Sequence, residues 1–367
     1  MKITSISMYG LELPLREPYF LSRGRRFDGF DSTFVKIETD EGLIGWGEIC
    51  PWGSSYLPAF TGGVRAAIAE IAPHLLGTDP REPEALTRLM DRVLAGHIYA
   101  KAGIDFALWD IIGQAAGMPV YQLLGGLESR NVPLISSIHV DKPEAMVENV
   151  QYWREQGYRR HSIKVGADVD SDIERVRVLT AAREADEVFD FDANGGWTPW
   201  EAVRVMNATS DTDAWFEQPC LTYEECLSVR RQTTQALSLD ECMVELKDVV
   251  RALNDRSCEV INVKLARVGG VTRARWIRDL CMAFDIPMMV MCMAGTAVND
   301  TIVSHFVSTL PENRCVGTWS CQDMVTVDAA PGRGARNRNG YLAPPSEPGL
   351  GVAPDLGVIG EPLATFR

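Results

Sequence analysis

The sequence predicts an α/β protein built on a closed barrel of alternating strands and helices, with a smaller part of mixed strands and helices ahead of it. Three observations lead there. The 367 residues are too many for one small module. A strand–helix–turn unit recurs from residue 131 to about 320. Before that stretch, short alternating runs and then helical spacing give a different pattern.

Taken in order, residues 1–50 read as an antiparallel meander. Ile3, Ile6 and Met8 alternate in part, Phe34–Ile37 is a second run, and Glu41-Gly42 turns the chain into Leu43–Trp46. Arg16 to Ser32, polar and glycine-bearing, and Cys50-Pro-Trp-Gly-Ser-Ser-Tyr56 read as mobile loops. From Gly62 to Gly117 apolar residues return at helical spacing, as in Ile104, Ala107, Leu108 and Ile111, with Pro73, Pro80 and Pro83 at the turns. Pro119 to Gly126 closes that segment with a glycine pair.

Eight apolar strands follow: Val132–Val140, Ser162–Val165, Val188–Asp192, Ala214–Glu217, Leu237–Asp240, Val260–Lys264, Pro287–Met291 and Cys315–Trp319. Segments such as Pro143–Gln156 and Asp172–Ala185 are long enough for right-handed crossover helices. Eight such units in about 190 residues favour a closed barrel over an open sheet. The domain reading is 1–126, 127–328 and a tail of 329–367 that returns to the first part, its basic island Gly332 to Asn339 a solvated loop.

Composition narrows the function. Fifty acidic residues against thirty-six basic ones give a formal charge of −14, which repels nucleic acid and anionic membranes. The nine scattered cysteines form no C-x-x-C pair and suit a reducing, cytoplasmic setting. No apolar run is long enough to span a membrane.

Barrel enzymes carry their chemistry at the carboxyl ends of the strands. Here five consecutive strands end in Lys164, Asp192, Glu217, Asp240 and Lys264, separated by 28, 25, 23 and 24 residues, each about one strand–helix unit. Singly, a strand-end acid is usually a helix cap and a strand-end lysine usually solvated. Five in succession converge on one mouth. Three carboxylates crowded there call for a dication, and oxygen ligands without histidine or cysteine suit Mg²⁺, with Mn²⁺ as a substitute. A lysine on each side of the ion would have its pKa lowered toward neutrality and serve as a base for a proton alpha to a carboxylate, the metal stabilising the enediolate.

The runs Ser162-Ile-Lys164-Val-Gly, Asp192-Ala-Asn194-Gly-Gly-Trp, Phe216-Glu217-Gln-Pro, Leu239-Asp240-Glu241 and Val263-Lys264-Leu-Ala-Arg-Val-Gly-Gly270 resemble the muconate-lactonizing-enzyme subgroup of the enolase superfamily over essentially the whole chain. The resemblance implies a modified TIM barrel, (β/α)₇β, with an N-terminal α+β capping domain completed by the C-terminal tail. It implies Asp192, Glu217 and Asp240 as metal ligands, Lys164 and Lys264 as acid and base on opposite faces of the substrate, and Asn194 and Glu241 as supports behind the ligands. One departure stands out: the usual Lys-x-Lys of the second strand is Ser162-x-Lys164, preceded by His161. Met291 to Gly295 offers neither a histidine base nor a carboxylate, which disfavours a Lys/His pair of the mandelate racemase type.

Cys50–Tyr56, His97–Lys101, His161-Ser162 and Trp319–Asp323 are similar to a branch acting on proline derivatives, the cis-3-hydroxy-L-proline dehydratases, with hydroxyproline betaine 2-epimerases near by. The resemblance implies a small-molecule carboxylate substrate, a homo-oligomer, and substrate contacts from Trp52, Tyr56, Ser162, Trp319 and Asp323. The aromatics Trp52 and Tyr56 either face a substrate ammonium or pack within their own domain. Epimerisation of an amino-acid derivative, dehydration of an acid sugar, and ligand binding without turnover are the competing readings.

Overall fold

The computed structural model describes residues 1–367, the side chain of Arg23 excepted. The chain opens with β1 (Ile3–Leu21), β2 (Arg25–Thr39) and β3 (Ile44–Ile49), an antiparallel meander. α1 (Thr61–Ile71), α2 (Pro83–Val93), α3 (Ile98–Ala116) and the short α4 (Val120–Leu123) pack on it. α3 is apolar on nearly every side and lies buried between the sheet and the rest of the molecule, as a helix hydrophobic all round must. β3 admits it closely because it carries glycines. A Cβ on Gly45 or Gly47 would come within 2.1 Å of the α3 carbonyl oxygens of Ala107 and Gly103.

Eight parallel strands then alternate with helices: β4 (Val132–Ile138), α5 (Pro143–Glu155), β5 (Arg160–Lys164), α6 (Val169–Ala182), β6 (Val188–Asp192), α7 (Pro199–Ala208), β7 (Trp215–Glu217), α8 (Tyr223–Arg230), β8 (Ala236–Leu239), α9 (Leu246–Asp255), β9 (Val260–Lys264), α10 (Leu265–Val268), α11 (Val271–Ala283), β10 (Met288–Met291), α12 (Ala297–Val307) and β11 (Cys315–Trp319). Each strand pairs with the next in order, and β11 pairs back onto β4 through Thr318–Leu134 and Trp319–Ile135, closing the barrel. With seven crossovers between eight strands the fold is (β/α)₇β. The tail adds β12 (Tyr341–Leu342) antiparallel to β4, then α13 (Leu356–Ile359), then β13 (Ala364–Phe366) beside β1 in the N-terminal sheet.

Two sequence expectations need correction. Arg16 to Ser32 is not a loop: β1 and β2 continue through it as a hairpin paired to Leu21–Arg25 around a tight turn, with a register shift between Pro14 and Tyr19. Pro14, Pro18 and the glycines hide its alternation, and the ladder hydrogen bonds hold the strands regardless. The arm leans on the loop after β11 through Arg16 N–H to Met324 O at 2.8 Å and Thr326 N–H to Pro14 O at 2.9 Å, which carries Tyr19 to the barrel mouth. The tail is likewise more than a solvated loop. It contributes two strands, and Ala335 within the basic island is buried. All nine cysteines are free thiols.

Candidate active site

Alternation along each strand decides which side chains meet at the mouth. In β6, Phe189 and Phe191 face outward, whereas Asp190 and Asp192 face the barrel axis. The ladder then sets Lys164 beside Asp192 and Asp192 beside Glu217. Lys164, Asp192, Glu217, Asp240 and Lys264 line one central cavity of about 50 Å³ with Asn194, Asn262, Ser162, Tyr19, Trp52, Tyr56 and Trp319. Lys164 ends β5 and Lys264 ends β9, four strands apart in a ring of eight, so the amines stand on opposite sides of the arc of acids.

All five charged groups are nearly inaccessible to solvent, and their bonds are short. Lys164 Nζ donates to Asp192 Oδ2 at 2.5 Å and to Ser162 Oγ at 3.3 Å. Lys264 Nζ donates to Asp240 Oδ2 at 2.5 Å, and Arg267 donates to the other oxygen of Asp240. Asn262 Nδ2 donates to Glu217 Oε1 at 2.6 Å. Asn194, in the left-handed region at φ 46°, turns its backbone N–H to Asp192 Oδ1 at 2.7 Å and its amide to Asp192 Oδ2 at 2.8 Å. The same amide reaches Glu241 Oε1 at 3.0 Å, which also accepts from Tyr56 Oη at 2.5 Å.

The acids are not alike. Burial, with the adjoining Glu217 charge, outweighs Lys164 and pushes Asp192 up to about 7. Burial first and Asp190 second hold Glu217 well above the usual carboxylate range. For Asp240 burial also works upward, but Arg267 and Lys264 together bring it down to about 2. Asp190, one layer deeper, is pushed up to about 7 by burial, with the adjoining Glu217 carboxyl working against the rise. For Lys164 burial works downward, but the adjoining Asp192, with Glu217 beyond it, outweighs burial and strengthens the ammonium.

This donor set, three carboxylates crowded at one mouth and oxygen throughout, fits a hard dication. It is not drawn into a finished shell. Among the described residues no group of three or more His, Cys, Asp or Glu is placed to hold a metal, and Asp192 and Asp240 each give an oxygen to a lysine.

The remaining expected contacts divide. Ser162, Trp52, Tyr56 and Trp319 reach the cavity. Trp52 is both wall and packing, with Tyr19, Phe27, Phe30, Tyr56 and Trp319 around it at centroid distances of 4.8–6.2 Å. Asp323 does not line the cavity: it accepts from Asn337 Nδ2 at 2.8 Å in an adjoining groove that shares Tyr19, Ser137 and Trp319 with the cavity, because the loop after β11 turns it outward. His161 also lies outside the cavity, on the outer face of β5 between Ser136 and Glu187. Lys101 is buried against Asp91, away from the mouth.

Several lining residues went unread. Asn262 lies two residues before Lys264 on the same strand face, a signal that alternation supplies. Tyr19 and Ser137 share a hydroxyl–hydroxyl bond from the hairpin arm to β4, which only the folded arm creates. Arg267 reaches Asp240 because α10 turns back at the end of β9.

Residues 145–358 match the enolase C-terminal domain-like family, and residues 9–125 match the mandelate racemase / muconate lactonizing enzyme N-terminal domain. The chain belongs to this family of enzymes. It is 41% identical over the full length of both chains to cis-3-hydroxy-L-proline dehydratase of Roseibium aggregatum. It is 31% identical to a hydrophobic dipeptide epimerase of Enterococcus faecalis, over 84% of this chain and 87% of the relative. Among solved structures, an enolase-superfamily member from Roseovarius nubinhibens complexed with magnesium superposes with TM-score 0.96 at 44% identity, covering 100% of this chain and 99% of that one. Among the described residues no helix is long and apolar enough to cross a membrane.

Proposed function

We propose that the chain dehydrates cis-3-hydroxy-L-proline by removing the proton alpha to the carboxylate. The observation that carries this reading is the placement of Lys164 and Lys264 on opposite sides of one cavity whose intervening arc is Asp192, Glu217 and Asp240. The full-length similarity to a dehydratase of that substrate supports it.

Asp192, Glu217 and Asp240 would hold the magnesium ion, with Mn²⁺ as a replacement, and Asn194 and Glu241 would keep Asp192 oriented. When bound, the ion supplies positive charge against the negative charge that loss of the α-proton places on the substrate carboxylate. The lysines do the proton work. In the cis isomer the carboxyl and hydroxyl share one ring face, so the C2 proton and the 3-hydroxyl lie on opposite faces. One lysine takes the C2 proton; the C2–H electron pair forms the C2–C3 double bond; the C3–O pair leaves with oxygen, which takes a proton from the opposite lysine and departs as water. The remaining enamine tautomerises to a pyrroline carboxylate. Return of a proton to C2 from the second lysine, before oxygen leaves, gives the 2-epimer.

Trp52, Tyr56 and Trp319 form the wall that excludes water from the ring, and Met291, Cys292 and Met293 complete it without adding a base. Incubation of the full chain with Mg²⁺ and cis-3-hydroxy-L-proline in D₂O tests the reading by NMR. Water loss with deuterium at C2 of residual substrate or epimer is expected. Neither change for this isomer, beside exchange with a proline betaine or a dipeptide, would replace dehydration by epimerisation.

A further inference from the structure

A second cavity, about 540 Å³, lies on the cap side of the central one, between the loop after β3, the start of α3 and the mouths of β7 and β8. Tyr56 and Asn194, both bonded to Glu241, form the partition between the two. Its walls are largely apolar, including Leu57, Phe60, Val64, Ile98 and Leu221. Polar side chains of opposite character interrupt them, Arg267, Glu241 and Tyr99 among them. Arg267 is 3% exposed, gives one nitrogen to Asp240, and has Nε and Nη1 without partners. Glu241 has Oε2 buried without a partner, and Tyr99, 7% exposed, has an unpartnered hydroxyl. All three line this cavity. His97 at the start of α3 adds no side-chain cap to the positive end of that helix.

Buried donors and acceptors left unpaired are costly and uncommon, and here donors and an acceptor face one apolar chamber of ligand size. We propose that this cavity binds a free α-amino acid with an apolar side chain, its carboxylate on Arg267 and Tyr99, its ammonium on Glu241, and its side chain on the Leu57–Phe60 wall. Arg25, the other basic group lining the cavity, lies over the Tyr56 ring and has its own unpartnered Nη1, but it is only half-buried, so Arg267, 3% exposed, is the deeper anchor for the carboxylate. Because Arg267 also holds Asp240 and Glu241 also holds Tyr56 and Asn194, occupancy is linked to the central site, each ligand altering the affinity of the other by the same factor.

Calorimetric titration of the full chain with L-leucine, 4-methylpentanoate and 3-methylbutylamine tests this without any turnover assay, so failure of the proposed dehydration would leave the result readable. Saturable leucine binding is expected, with each analogue, lacking one charged group, weaker by about tenfold or more. Tyr99→Phe should weaken leucine by up to about tenfold. Ala95→Trp, in the exposed rim loop, should abolish leucine binding with the melting temperature unchanged. No saturable heat at millimolar leucine, equal binding of both analogues, or leucine binding that survives Ala95→Trp and is displaced by cis-3-hydroxy-L-proline would each overturn the proposal.

Discussion

The two lysine–aspartate pairs at the barrel mouth share a bond length of 2.5 Å and little else. On the Lys264 side Asp240 is held by two cations and drawn down to about 2. On the Lys164 side Asp192 has one cation, the Asn194 amide and a carboxylate neighbour, and it is pushed up to about 7. Ser162 stands there in place of a second lysine. The sides are also tied to the capping sheet differently. Tyr19 meets Ser137 of β4 near Lys164. Near Lys264, Glu48 of β3 is buried on the loop after β10, accepting from Thr296 N–H at 2.9 Å, Thr296 Oγ1 at 2.8 Å and Asn299 N–H at 3.0 Å. A near-symmetric pair of amines thus sits in asymmetric electrostatics, which is what a base and an acid with separate tasks require.

The largest expected effect comes from the amines themselves. Lys164→Ala and Lys264→Ala should each lower kcat/KM for dehydration by about 10³-fold or more, and deuterium uptake at C2 should survive in the variant that keeps the base. Equal loss of exchange in both would erase the division of labour. Next, in metal-free protein Asp240→Asn strands Lys264 and Arg267 without their buried anion and should cost about 3–5 kcal/mol by urea unfolding. Asp192→Asn strands one cation but relieves the crowding with Glu217, and should cost about 1–3 kcal/mol. Matching losses would break the comparison.

The ties to the cap are a smaller test. Burial raises the Glu48 carboxyl from an ordinary 4.5 to about 7. The folded state therefore keeps a proton that the unfolded chain releases, and stability falls as pH rises from about 4.5 to about 7. Glu48→Gln should lose about 1–3 kcal/mol from its donors and flatten that component, so its difference from wild type shrinks as pH rises through the window. A constant difference would remove the charge from the account. Smallest is Tyr19→Phe, which deletes one neutral hydroxyl bond and should cost about 0.5–1.5 kcal/mol in the urea midpoint.

The five charged strand ends were readable because a strand exposes its last inward residue at a fixed place and a strand–helix unit has a fixed length. Val188–Asp192 and Val260–Lys264 coincide with β6 and β9 for that reason. Arg16–Ser32 was unreadable because cross-strand pairing, not local alternation, holds the arm of β1 and β2 together. The outward turn of Asp323 was not legible, because nothing in Trp319–Asp323 records which way a loop turns after leaving the barrel. The partner of Lys164 was not legible either, because it is Asp192 at the end of the neighbouring strand, and spacing along the chain does not record which strand ends lie side by side.

By itself, then, the order of residues determined the alternating architecture and the inventory of acids and amines, since periodicity and spacing are local properties carried along the chain. The tertiary structure alone decided that Arg267 joins Asp240, that Tyr19 reaches Ser137, and that Arg267, Glu241 and Tyr99 share a chamber beside the site. Those contacts join residues on separate elements, and they exist only once barrel closure and the returning tail have fixed the distances between them.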